Sequence, residues 1–337
     1  MTQKMEKVME RPGVRREGGT RGCHTEESPR SVVNDGATQQ ERVTAHFEST
    51  ADRWKSLYES EDIFARMHQQ RLAAALRFVD RVLLVPHAQI LEVGCGAGLA
   101  AVSLAERGHF VEAVDIAPAM LQSTQERAAR AGVTHRISTS RGDIHQLPFP
   151  NNKFDVVLAI GITAWLDSLH GPLREAARVL RPGGHLVVSA GNRWSLHRLL
   201  DPRLSPALAE ERRMVRRVLH LESRKLKPGE ARYNFYSPQE FDAILAMANL
   251  TKLQSATIGF GPFSLMGHKV LPDSSGVSID RYLQRLADKN FPFIRSAGRV
   301  YLVLAKKPDL TNRSSKSSSY YLTEVNGVKH RGAKTNC

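Results

Sequence analysis

Three glycines in the stretch ILEVGCGAGLAAVSLAERGHFVEAVD, residues 90–115, separate an apolar run from a helical pattern: Gly94, Gly96 and Gly98. Glycine at such a turn permits positive φ and lets a ligand approach the backbone closely. Asp115 closes the next apolar run about twenty residues on, where a carboxylate can take ribose hydroxyls. This much fits a dinucleotide or another adenosine-bearing ligand. Read from Gly96, GAGLAA satisfies the dinucleotide spacing, so the glycines alone do not choose. Glu92, two residues before Gly94, bears on the choice. A carboxylate aimed at the turn suits a cationic ligand end such as an amino-acid ammonium and repels a pyrophosphate. Farther along, RGDIHQLPF places Asp143 and Ile144 where a carboxylate can accept from an adenine amine and an aliphatic side chain can wall the base. Against this, Ile116, Met120 and Ile144 also suit an ordinary core, and Asp143 suits a turn cap. Cys95 reads as a small packing residue, since no cationic partner lowers its thiol pKa.

The elements that must hold these residues follow from the pattern. QILEVGC is an apolar run, hence a buried strand. LAAVSLAERG is a helix closed by Gly108, FVEAVDI a second strand, and PAMLQSTQERAARAG a helix with Pro118 early and Gly132 at its end. HRISTSRGD leads to Asp143. FDVVLAIG is a further strand, GPLREAARVL a helix, RPGG a tight turn and HLVVSAGN another strand. Strands alternating with helices predict a parallel α/β sheet covered on both faces.

ILEVGCGAG, VEAVDIAPAML, GDIHQLPFPNNKFDVV and EAARVLRPGGHLVVS, in this order and spacing, resemble the class I S-adenosylmethionine-dependent methyltransferases. The similarity is nearest to the subgroup with ubiquinone and menaquinone C-methyltransferases and small-molecule O-methyltransferases. It covers roughly residues 90–190 closely and 41–308 in outline. It implies a Rossmann-like, seven-stranded, mostly parallel sheet with helices on both faces and an antiparallel last strand, with LQSATIGFG and RVYLVLAKK as the final hairpin. It further implies S-adenosylmethionine as cofactor. Gly94, Cys95, Gly96 and Gly98 would line its methionine part, and Glu92 would anchor the amino group. Asp115 would hold the ribose, Ile116 and Met120 would lie against adenine, and Asp143 and Ile144 would bind and wall the base. The backbone at Ala159 and Ile160 would face the sulfonium side.

Methyl transfer from a sulfonium asks the protein for alignment, a dry pocket and, for oxygen or carbon acceptors, a base. Candidates follow the strand ends: Asp167 and His170 in ITAWLDSLH, Trp194 and His197 in GNRWSLH, and His268. His170 and His197 are the first choices. LAIGIT stands where methylases of base or glutamine amino groups carry an Asn-Pro-Pro-Tyr type motif, which argues against that class. Trp54, Tyr58 and Phe64 lie in leading helices, 41–85, which the resemblance makes a lid. Segments 193–232 and 262–298 read as substrate-side insertions. Within the first, residues 207–221 form an amphipathic helix. Leu208, Met214, Val215, Val218 and Leu219 share one face, and Arg212, Arg213, Arg216 and Arg217 the other. Packing on its own domain is the favoured reading of that helix, and contact with an anionic membrane surface or with a phosphate-bearing substrate the sharper one.

The chain of 337 residues is 41% hydrophobic and carries a net charge of +14, much of it in the tails and the basic helix. The charge permits nucleic acid, membrane or acidic partners and demands none. Residues 1–40 and 309–337 read as disordered tails around one domain, 41–308. Three scattered cysteines suggest neither a disulfide framework nor a metal site, and no apolar run is long enough to span a membrane. The expectation is a cytoplasmic, metal-independent methyltransferase acting on a small or lipid-like molecule, oxygen slightly favoured over carbon as acceptor. The competing readings are a nucleic-acid methyltransferase, an NAD(P)-binding oxidoreductase and a non-catalytic binding protein of the same fold.

Overall fold

The computed structural model describes residues 38–57, 60–84, 86–219 and 233–309. The tails are thus almost wholly outside the described residues, as are Tyr58 and the basic run that follows residue 219. Helix α1 (Gln39–Ser49) already begins within the expected N-terminal tail, because Thr38 and Glu41 form a reciprocal capping box there. Helices α2 (Ala51–Leu57) and α3 (Ile63–Val82) follow. The Asp62 carboxylate starts α3 by accepting from the Phe64 and Ala65 amides at 2.8 Å each.

Strand and helix then alternate: β1 (Gln89–Val93), α4 (Leu99–Glu106), β2 (Phe110–Asp115), α5 (Pro118–Arg130), β3 (Ile137–Arg141), β4 (Phe154–Ala159), α6 (His170–Val179) and β5 (Leu180–Gly191). After β5 come α7 (Leu196–Leu200), α8 (Ala209–Val218), α9 (Pro238–Met247) and β6 (Thr251–Ile258). A two-residue hairpin, β7 (Ser264–Leu265) and β8 (His268–Lys269), α10 (Asp273–Asp288) and β9 (Val300–Lys306) complete the described chain. The RPGG segment, expected as a tight turn, is instead a bulge inside β5. Pairing with β4 jumps from Phe154↔Leu180 to Val156↔His185, and Gly183 takes φ +77°.

The seven strands are ordered β3-β2-β1-β4-β5-β9-β6. All pairs are parallel except those of β9, which runs antiparallel to both neighbours. The central strands read as unbroken apolar runs because both faces are covered. Ile90 and Leu91, adjacent in β1 and both fully buried, face opposite cores. One core packs against α3 and α4, the other against α6 and α9.

Strand order reverses between β1 and β4, and a parallel sheet leaves its ligand crevice at the carboxyl ends of the strands flanking such a point. Because β9 is antiparallel to both β5 and β6, those two strands run the same way. Both insertions therefore leave the sheet from this edge, after Gly191 and after Ile258. The second is tied down by buried Asp280 of α10. Its carboxylate accepts from the amides of Phe260 and Gly261 and from Gln70 of α3.

Helix α8 corrects the expectation that it packs on its own domain. None of its residues is buried, and Met214, Val218 and Leu219 at its end are 60%, 69% and 60% exposed. The helix lies in the insertion that follows β5. Arg212 moors its first turns by donating to the Pro202 and Ser205 carbonyls.

Candidate cofactor and acceptor site

A cavity of about 440 Å³ opens at the strand reversal. The glycine turn forms one wall. Gly94, Gly96 and Gly98 all have positive φ, at +71°, +53° and +76°. A Cβ on Gly98 would lie 2.8 Å from the Thr124 backbone, so this glycine lets α4 pack onto α5 and does not itself line the cavity. The Asp115 carboxylate, buried at the end of β2, stitches the turn. It accepts from Gly96 N through Oδ2 and from Ala117 N through Oδ1, both at 3.0 Å. From α5, Thr124 and Arg127 donate to the Gly96 and Ala97 carbonyls at 3.0 and 2.9 Å.

Glu92 is the unusual group. It is 5% exposed, lines the cavity, and its Oε2 has no hydrogen-bond partner among the described residues. Burial pushes its carboxyl up to about 8, against one backbone amide at Ala101 that favours the anion, and the Asp115 charge adds to the rise. Burial raises Asp115 as well. Two carboxyls desolvated side by side leave the site short of a positive group.

Of the other expected cofactor residues, Gly94, Cys95, Gly96, Ile116, Met120, Asp143, Ile144 and Ile160 line the cavity. Met120 packs with Phe47 and Trp54 of the leading helices. Asp143 also serves the turn it was weighed against, since its Oδ1 accepts from His145 N at 2.9 Å. Burial raises the Cys95 thiol far above its ordinary range, consistent with packing and not with nucleophilic attack. Ala159 is fully buried in the core on the α6 side, and the cavity wall passes to Ile160, Gly161 and Ile162.

The structure does not bring the two preferred bases to the cavity. His170 is exposed at the first residue of α6, because the turn holding Ile162, Trp165 and Leu166 takes the wall position before the chain reaches it. His197 on α7 is half-buried outside the lining, and burial, with the nearby Arg299 charge, draws it down to about 4. The histidines that do line the cavity are His46 of α1 and His68 of α3. Burial, then Arg71 and Arg299, draw His68 down to about 2, and burial, then Arg53, lowers His46. Aromatic rings fill the rest of the wall. His46 and Phe47 meet Trp165, Trp165 meets Tyr233, and Trp54 and Phe64 flank His68.

Two arginines that no sequence motif marks, Arg71 and Arg299, also line the cavity. The Arg71 guanidinium covers Gly161, so close that a Cβ there would lie 2.7 Å from its Nη1. The available signal was positional: His68 and Arg71 fall on the stripe of α3 that otherwise carries buried Ala65, Ala74, Ala75 and Phe78.

Residues 91–188 match the family described as "Methyltransferase domain". The chain is 40% identical over 101 residues to a demethylmenaquinone methyltransferase of Tropheryma whipplei, a match spanning 30% of this chain and 40% of that protein. It is 36% identical over 116 residues to a malonyl-[acyl-carrier protein] O-methyltransferase of Serratia marcescens, covering 34% and 43%. The chain thus spans about two-fifths of the length of these curated relatives. Magnesium protoporphyrin IX methyltransferase from Synechocystis PCC 6803, solved with bound SAH, superposes with a TM-score of 0.53 at 16% identity. That superposition covers 80% of this chain and all of the other. The fold is that of a class I methyltransferase. Within this methyltransferase fold, Glu92 and Asp115 occupy the carboxyl ends of the first two strands, beside the strand reversal.

A titration consequence follows from Glu92. Its folded pKa of about 8 lies above the ordinary glutamate value, so between the two the folded protein holds a proton that the unfolded chain has lost. That contribution to stability is intact at acidic pH and is lost as pH rises through about 8. With no cofactor added, Glu92→Gln is expected to match wild type in urea unfolding at acidic pH. Above pH ~8 it should exceed wild type, by an amount on the order of 2–4 kcal/mol. A variant less stable than wild type at both ends of the range would contradict the assignment.

Proposed function

We propose that this chain binds S-adenosylmethionine and transfers its methyl group to a small or lipid-like acceptor. The observation that carries this reading is the partnerless carboxylate oxygen of Glu92, buried against the glycine turn and facing the cavity. An amino-acid ammonium supplies the missing positive donor. Arg71, on the same cavity, suits the carboxylate of that amino-acid end. Asp115 keeps acceptor capacity for a ribose, and Asp143 with Ile144 suits the base. S-adenosylmethionine brings an electrophilic methyl on its sulfonium. The protein's share is to orient the cofactor and to exclude water with α1–α3 and their aromatic side chains acting as a lid. The names of the matched relatives, acting on demethylmenaquinone and on malonyl-[acyl-carrier protein], support a small or lipid-like acceptor. Because His46 and His68 are held neutral, they are weak bases. This favours an acceptor oxygen that ionises readily over a carbon that must be deprotonated by force.

Helix α8 supports a further part of this reading, contact with an anionic membrane surface. Its exposed apolar face and adjoining arginines have the character of an interfacial helix, and it rises from the same sheet edge as the cavity.

Calorimetric titration with S-adenosylmethionine, S-adenosylhomocysteine and NAD is expected to show binding of the first two only. Asp115→Ala should weaken that binding by roughly tenfold or more, as expected for loss of charge-assisted hydrogen bonds. Binding of NAD alone would overturn the reading. In sedimentation with vesicles, the protein should associate with phosphatidylglycerol-containing bilayers and not with pure phosphatidylcholine. Reversing Arg216 and Arg217 to Glu should lower that partitioning by at least about 30-fold, at ~1 kcal/mol per basic residue lost. Unchanged partitioning would remove α8 from the account.

A further inference from the structure

The expected cofactor residues lie mainly on the β1–β3 side of the crevice, with Arg71 at the seam beside β4. Across from them, on the β5–β9 side, the wall is made by Gly191, Tyr233, Phe235 and Arg299. Arg299 immediately precedes β9, and its backbone is fixed at both ends. Its amide donates to the Gly259 carbonyl at 2.6 Å, and its carbonyl accepts from Asn192 N at 2.8 Å. Its position is therefore set by the two strands where the insertions begin, not by a loose loop.

Its charge is not answered by the protein. Nη1 is buried without a hydrogen-bond partner, and no carboxylate pairs with the guanidinium among the described residues. Burial draws its pKa down. The groups that act on it electrostatically are the Tyr233 phenol and Arg198, and neither is a carboxylate. Arg198 itself stands 4.0 Å from the centre of the Phe235 ring, so a second cation borders the same wall. The acids of the cavity lie elsewhere. The Asp115 charge acts on Glu92 and the Glu48 charge on Asp115, and no arginine figures among the influences on either. A buried cation is disfavoured unless paired, and the guanidinium fork matches a carboxylate or phosphate through two parallel hydrogen bonds.

We infer that Arg299 is an anion-binding residue of the acceptor subsite, holding a carboxylate or phosphate group of the molecule to be methylated. Calling that molecule an acceptor rests on the methyltransferase reading above; the anion site itself does not. The division of labour is specific. Arg71, against Gly161, serves the amino-acid end of the cofactor, and Arg299, across the crevice, serves a different anion. Acceptors carrying an oxyanion are thereby selected over neutral molecules of the same shape, because a neutral group leaves the buried Nη1 and the guanidinium charge unanswered.

The test uses the full chain, with and without S-adenosylhomocysteine, and three probes of similar shape: benzoate, phenyl phosphate and neutral benzamide. Ligand-observed NMR titration is expected to show at least one anion binding about tenfold or more tighter than benzamide. The tighter of the two anions identifies carboxylate or phosphate as the preferred group. Arg299→Gln should erase the preference and Arg299→Lys should keep part of it. Both should bind S-adenosylhomocysteine within about twofold of wild type, which also shows that they fold. Equal binding of benzamide and both anions, or a preference that survives Arg299→Gln, would overturn the inference. So would a collapse of S-adenosylhomocysteine affinity in a folded Arg299→Gln, since Arg299 would then serve the cofactor's own carboxylate. Failure of the wild type to bind S-adenosylhomocysteine counts against the methyltransferase reading alone. The titrations without it then decide the anion site.

Discussion

The Glu92 carboxyl is buried at the base of a glycine turn, and the site is organised around that burial. A strand residue at this position can be charged only if the ligand brings the compensating charge. Asp115 closes the same region by a different means. Its oxygens hold the amides of Gly96 and Ala117, so the turn and the start of α5 are fixed with respect to each other before any ligand arrives. One carboxylate is satisfied by the backbone and shapes the site. The other is left partly unsatisfied and awaits a cation. The same desolvation that makes Glu92 a liability to the protein alone makes it a strong anchor when paired.

The sheet extends this logic across the crevice. On the β1–β3 side, short connections bring carboxylates and glycines to the edge. On the β5–β9 side, long insertions bring aromatics and arginines. The antiparallel β9 makes this possible, because it returns the chain to the sheet and allows β6 to deliver the second insertion to the same edge as the first. Leading helices close the cavity from above, with Gln39 of α1 donating to the Trp165 carbonyl and Glu48 accepting from Ala119 N. The acidic and basic halves of the cavity thus come from different parts of the chain, and the ligand surfaces they offer differ accordingly.

The first half was legible in the sequence. Gly94, Gly96, Asp115 and Asp143 sit at strand ends, where short-range pattern fixes both element and position, and Glu92 stood out as an acid in an apolar run. Gly98 does not line the cavity, because packing against Thr124 claims it, and the Ala159 side chain belongs to the α6-side core. The second half was not legible. Arg71 lies some twenty residues before the first strand and Arg299 just before the last. Only the folded sheet brings them to one cavity. His170 and His197 followed strand ends as expected, yet the connecting turns had already turned them away from the wall. Helix α8 was recognised from its periodicity, but periodicity says that an apolar face exists and not what covers it.

The most direct test of the central claim is the proton balance of S-adenosylhomocysteine binding, measured calorimetrically in two buffers of different ionisation enthalpy at about pH 7. A carboxyl with a folded pKa near 8 is mostly protonated there, and pairing with the ligand ammonium must ionise it. The account predicts release of close to one proton per ligand bound, a release lost in Glu92→Gln. Tight binding with no proton released, or release that persists without the carboxyl, would contradict the role given to Glu92.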